Sequence, residues 1–75
     1  MKEQFYSRYH KIGRNVKTLR LKHKWTQLQL ANKCDIDWEQ IDRIENARQD
    51  YLLSTLLKVR VIFHIDVITV MTEDL

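Results

Sequence analysis

Apolar residues recur along the chain at helical spacing, and the interruptions between them mark where helices begin and end. Phe5, Tyr9, Ile12, Val16 and Leu19 are spaced 4, 3, 4 and 3 apart. That spacing predicts one apolar stripe on a long helix, about Glu3 to His23. Gly13 sits inside this helix at a cost of ~1 kcal/mol relative to Ala, which a close helix crossing would explain. After Trp25, a staple before the next helix, Thr26-Gln27-Leu28-Gln29 reads as a capping box. The helix it opens, about Gln27 to Lys33, turns Leu30 and Ala31 inward. Asp35 suits a left-handed turn position and Ile36 packs inward. Asp37-Trp38-Glu39-Gln40 reads as a second capping box. Its helix, about Trp38 to Asn46, buries Ile41 and Ile44 and turns Trp38, Glu39, Asp42, Arg43 and Asn46 outward. Leu53, Leu56, Val59 and Phe63 predict a fourth helix from about Leu52 to Phe63. The segment Ile65 to Met71 is β-branched and also fits a strand; a short fifth helix capped by Asp66 is preferred.

Composition supports the helical reading. No Pro and one Gly in 75 residues leave few turn residues for a sandwich or barrel. An apolar content of 44% against 31% charged residues suits one modest core in one domain. Cys34 is the sole cysteine. It excludes an intrachain disulfide and a cysteine zinc site, and it fits a reducing cytoplasm. The start of the chain lacks a stretch apolar enough for a signal peptide. The apolar region Val59 to Met71 is interrupted by Arg60, His64 and Asp66, so no membrane span is expected.

Charge is unevenly placed. Residues 1–25 carry eight Lys/Arg against one acid, so +7; residues 26–75 carry five against nine, so −4, and the two give the net +3. A basic first third suits a polyanion such as nucleic acid, and equally a solvated helix face. His10 and His23 have no ligand-spaced partner and read as surface residues.

Two short capped helices joined by Cys34-Asp35-Ile36-Asp37 outline a helix-turn-helix. Ile12-Gly13-x-x-Val16-x-x-Leu19-Arg20, Thr26-Gln27-x-x-Leu30-Ala31, Ile41-x-x-Ile44-Glu45-Asn46 and Leu53-Ser54-Thr55-Leu56-Leu57-Lys58-Val59, with Ile65 at the fifth-helix entry, are similar to successive helices of one family. The chain resembles the Cro/C1-type helix-turn-helix domain of phage repressors and xenobiotic-response-type bacterial regulators, over about residues 12–71. The resemblance implies an all-α, five-helix, lambda-repressor-like fold with helices 2 and 3 as the helix-turn-helix. Residues 1–11 would extend helix 1.

The resemblance also implies roles. The helix of residues 38–46 would enter the major groove of double-stranded DNA. Trp38, Glu39 and Arg43 fall at base-contacting positions. Gln27, Gln40, Asn46 and Arg48 fall at or beside backbone-contacting ones, with Gln27 also bracing the recognition helix. Arg20 and Glu45 match a buried structural ion pair. The chemistry suits these roles: Arg43 can give two donors to guanine, Glu39 can accept from cytosine N4, and Trp38 can cover a thymine methyl or sugar. No cofactor or metal is needed.

The chain departs from the family at several places. Lys24, Asp35 and Ala47 stand where Gly is usual and Tyr51 where Pro is, so the helix ends are expected to differ. Arg60 takes a usually small, buried position. Val61, Val67, Ile68, Val70 and Met71 leave apolar surface for a homodimer on a palindromic operator. Phe5, Tyr6 and Tyr9 are expected to cover the C-terminal helices, with an arm of Lys2, Arg8 and Lys11 to DNA as the alternative. The recognition surface carries two troubling acids, Glu39 and Asp42. A protein-interaction module, antitoxin-like and using Trp38, Glu39 and Asp42, is therefore the competing function. An enzyme is disfavoured, since no phosphate loop, metal cluster or nucleophile–base pair is present; Cys34 reads as a core filler.

Overall fold

A computed structural model describes residues 3–48 and 51–75. Five helices follow in order: α1 (Glu3–Lys22), α2 (Gln27–Cys34), α3 (Trp38–Asn46), α4 (Leu53–Ile62) and α5 (Val67–Thr72). Among the described residues there is no strand, and the β-branched segment after Ile65 is helical. Among the described residues no helix is long and apolar enough to cross a membrane. α1 packs on α3 and α5, α2 on α3 and α4, and α4 on α5. One core runs through all five: Ile12 and Val16, then Leu30, Ala31 and Cys34, then Ile41 and Ile44, then Leu56 and Val59, then Val70.

The stripe on α1 is fully buried only at Ile12 and Val16. Phe5 stays half exposed at the rim of an open apolar hollow shared with Tyr9, Tyr51, Leu53 and Met71. Tyr9 meets Tyr51 edge-on, ring centres 5.4 Å apart. Tyr6 does not cover the C-terminal helices; it stacks on His10 along the surface of α1. Gly13 lies where α1 crosses α3. A Cβ there would collide with the Ile44 carbonyl oxygen and stand 2.8 Å from that of Glu45.

Four helices end in the same way, without glycine. Lys24, Asp35, Ala47 and His64 all have left-handed φ, between 51° and 59°. In each case the next residue donates its backbone N–H to a carbonyl five positions back: Trp25 to Arg20, Ile36 to Ala31, Arg48 to Arg43 and Ile65 to Arg60. These bonds satisfy carbonyls that the helix ends leave open. Lys24, Asp35 and Ala47 thus make the helix stops without glycine, at the cost of backbone strain. Lys24 is exposed. Lys24→Gly is therefore expected to stabilise the fold by ~1 kcal/mol, a Tm rise of roughly 4–8 °C for a domain of this size. An unchanged or lowered Tm in a thermal melt would remove the strain argument.

The helix starts differ in quality. Thr26 forms its capping box in full: its Oγ1 accepts from Gln29 N at 3.0 Å, and Gln29 Oε1 accepts from Thr26 N at 2.8 Å. The second box does not form. Asp37 is the N-cap of α3 without a side-chain bond, because the Gln40 N–H donates to the Asp37 carbonyl at 3.0 Å. Asp66 likewise caps α5 by position alone.

The C-terminal segment is tied to α1. Buried Asn15 donates to the carbonyls of Val70 (2.7 Å) and Glu73 (2.6 Å) and accepts from Leu75 N at 3.1 Å. Arg8 donates to Met71 O at 2.8 Å, Lys11 to Thr72 O at 3.2 Å and Lys22 to Leu75 O at 3.4 Å. Asp74 pairs with Lys11 at 3.3 Å and with Arg14 at 3.9 Å. Cations at the carbonyl end of a helix are favourable. Much of the basic first third is thus turned toward the chain's own C-terminal segment. Arg8 and Lys11 form no arm, and Lys2 lies outside the described residues.

Candidate nucleic-acid interface

The site is built on α3 and the first turn of α2. Each residue of a helix turns about 100° from the last. With Ile41, Ile44 and Glu45 buried, Glu39, Arg43 and Asn46 form the outer crest of α3. Trp38 and Gln40 flank that crest on opposite sides. Trp38, Glu39, Asp42, Arg43 and Arg48 surround one open depression. Trp38 is 48% exposed and forms a wall of it, so it is not packed away beneath α2. Gln40 stands apart on the far flank, half buried.

The underside of α3 is fixed by charge. Arg20 Nε donates to Glu45 Oε2 at 2.7 Å and Nη2 to Oε1 at 3.0 Å, a two-pronged buried pair. Arg20 Nη1 also donates to Trp25 O at 2.8 Å. One guanidinium therefore joins the end of α1, the α1–α2 link and the end of α3. The capping box places Gln27 at the start of α2. From there its Nε2 donates to Glu45 Oε1 at 3.3 Å and to Asp42 Oδ1 at 3.4 Å. Trp25 closes the near side, stacked on His23 (4.4 Å) and Phe63 (5.8 Å) with Lys33 Nζ 4.7 Å from its ring centre.

Asp42 is the residue whose part the sequence reading missed. It is not a free acid. Its Oδ1 accepts from Asn46 Nδ2 at 2.7 Å, and its Oδ2 pairs with Arg48 Nη1 at 3.4 Å. Asn46 also donates to the Asp42 carbonyl at 3.1 Å. The signal was the four-residue spacing of Asp42 and Asn46 on one helix face. No ion pair or hydrogen bond engages the side chains of Glu39, which is exposed, and Arg43, which is half buried, among the described residues. Glu39 and Asp42 against Arg43 and Arg48 leave the rim of the depression formally neutral.

The residues assigned to a dimer contact divide. Val61 and Ile68 are exposed, and Val67 and Met71 are half buried. Val70 is 1% exposed, held in the core, and is not available to a second copy. Cys34 is buried, and desolvation pushes its thiol up to about 11, with Lys58 pulling it partly back. It is a protonated core residue at neutral pH. Among the described residues no group of three or more His, Cys, Asp or Glu is placed to hold a metal ion.

Comparison with protein-family models, with curated proteins and with solved structures finds no match to this chain.

Proposed function

We propose that α2 and α3 form the helix-turn-helix of a Cro/C1-type, lambda-repressor-like domain that binds double-stranded DNA sequence-specifically. α3 would lie in the major groove. One observation carries the reading. α3 is held rigidly from beneath by Arg20–Glu45 and Gln27, while Glu39 and Arg43 on its crest have unengaged heads. Base reading needs side chains free to bond on a support that does not yield. Arg43 then reads guanine, Glu39 accepts from cytosine, and Trp38 covers a thymine methyl or sugar. Gln27, Gln40, Asn46 and Arg48 serve the phosphate backbone, Arg48 at the expense of its bond to Asp42.

Selection from a random duplex pool at two salt concentrations tests this. The expected result is a recovered motif. Arg43→Ala should then lose ~1–3 kcal/mol of discrimination at one guanine while keeping its affinity for unrelated duplexes. Equal binding of all sequences by the wild-type protein would end the base-reading assignment.

A second reading, a protein-interaction module using the same helix, has its own support. The rim of the depression is formally neutral, and Arg8, Lys11, Arg14 and Lys22 are engaged with the C-terminal segment. No enrichment of duplex DNA, together with a protein partner lost on Trp38→Ala, would favour it.

A further inference from the structure

α4 exposes an apolar stripe that the bundle leaves uncovered. Thr55, Leu56 and Val59 face the core. Leu53, Leu57 and Val61, four residues apart on the opposite side, are 63%, 37% and 51% exposed. Contiguous exposed apolar surface of this kind marks an interaction site. At about 100° per residue, exposed Lys58 lies along one edge of the stripe, and Arg60, half buried with its Nε withdrawn from water and without a partner among the described residues, lies along the other. From Tyr51 to Ile65 the sequence has those two cations and neither Asp nor Glu. The edges are therefore of one sign.

We infer that this face of α4 docks an amphipathic helix of another protein, with leucine-like residues along its centre and Asp or Glu on its flanks. The four-residue row of Leu53, Leu57 and Val61 is a ridge that fits the groove of a facing helix. The flanking charge selects the sign of the partner. The α4 of a second copy carries no acid of its own to meet Lys58 and Arg60. An anionic membrane is a poorer match, because two cations and no aromatic on the stripe give little anchorage. α4 shares no residue with the depression on α3, so both surfaces can be occupied at once.

The test uses the whole chain and a synthetic amphipathic peptide with leucine on one face and glutamate on the flanks. Its twin carries lysine on the flanks. Backbone amide shifts are followed in a titration. The glutamate peptide should bind about tenfold or more tighter than the lysine one, with shifts centred on α4. Lys58→Glu, which leaves Arg60 on the other edge, should cancel most of the preference, and Leu57→Asp should abolish binding. Val61→Ser, at a more exposed position, should weaken binding even if Leu57→Asp disturbs the fold. Equal binding of both peptides, no binding, or shifts elsewhere would overturn the inference. So would concentration-dependent self-association lost on Val61→Ser, which gives the face to a second copy, or stronger attachment to anionic phospholipid vesicles than to the peptide.

Discussion

Arg20→Ala is expected to destabilise the fold by ~3–5 kcal/mol in urea unfolding. A domain of this length has only ~4–11 kcal/mol in total, so much of the protein would be unfolded or nearly so. The loss is large because of what remains. Both side chains are almost wholly withdrawn from water. Without Arg20, the Glu45 carboxylate keeps only the 3.3 Å bond from Gln27. Trp25 O loses its donor at the same time. Glu45→Ala should cost a similar amount by stranding the guanidinium. Replacing both by apolar residues of similar volume should recover most of the loss, since the pair's attraction largely offsets its own desolvation. If either single substitution costs less than ~1 kcal/mol, the pair is a surface-like contact. α3 would then lack the rigid support on which the proposed DNA reading rests.

Gly13→Ala is the second large effect, and its sign is the diagnostic. On an open helix the substitution stabilises by ~1 kcal/mol, because Ala is the better helix former. Here the new methyl meets the carbonyls of Ile44 and Glu45, backbone atoms that cannot swing aside. Pushing α1 off α3 should cost ~2–3 kcal/mol net of the helical gain. It would also stretch the Arg20–Glu45 pair further along the same contact. A raised Tm would mean that the two helices have room to separate.

Much of the architecture is readable from local signals. The 4, 3, 4, 3 spacing in α1, the Thr26 box and the turn at Asp35 depend on residues within a turn or two of one another. α4 was harder. Leu53, Leu56, Leu57, Val59, Val61 and Ile62 make it apolar all round, so periodicity does not say which side is buried. The pattern put Leu53 and Phe63 inward with Leu56 and Val59; the fold turns Leu53 out and uses Thr55 instead. The candidate site divides in the same way. Trp38, Glu39 and Arg43 follow from α3's own periodicity and do come together. Asp42's bond from Asn46 was within reach of the i, i+4 pattern, but its pairing with Arg48 and Gln27, and the use of Arg8, Lys11, Arg14 and Lys22 on the C-terminal segment, depend on partners from 6 to more than 60 positions away. The failed box at Asp37 was a local signal that a competing backbone bond overrode.

The clasp at Asn15 also bears on the order in which the contacts can form. Its partners lie 55 to 60 positions downstream. Closing loops that long is slow, and it repays its entropy only at the end. The α2–α3 pair is local and can form early. The face of α1 around Asn15 stays incomplete until residues 70–75 reach it. A chain in which those residues have not docked can already hold α3 on α1 and α2 while the α1–α5 contact is open. The helix proposed to read DNA would therefore be formed before the C-terminal segment is clasped to α1.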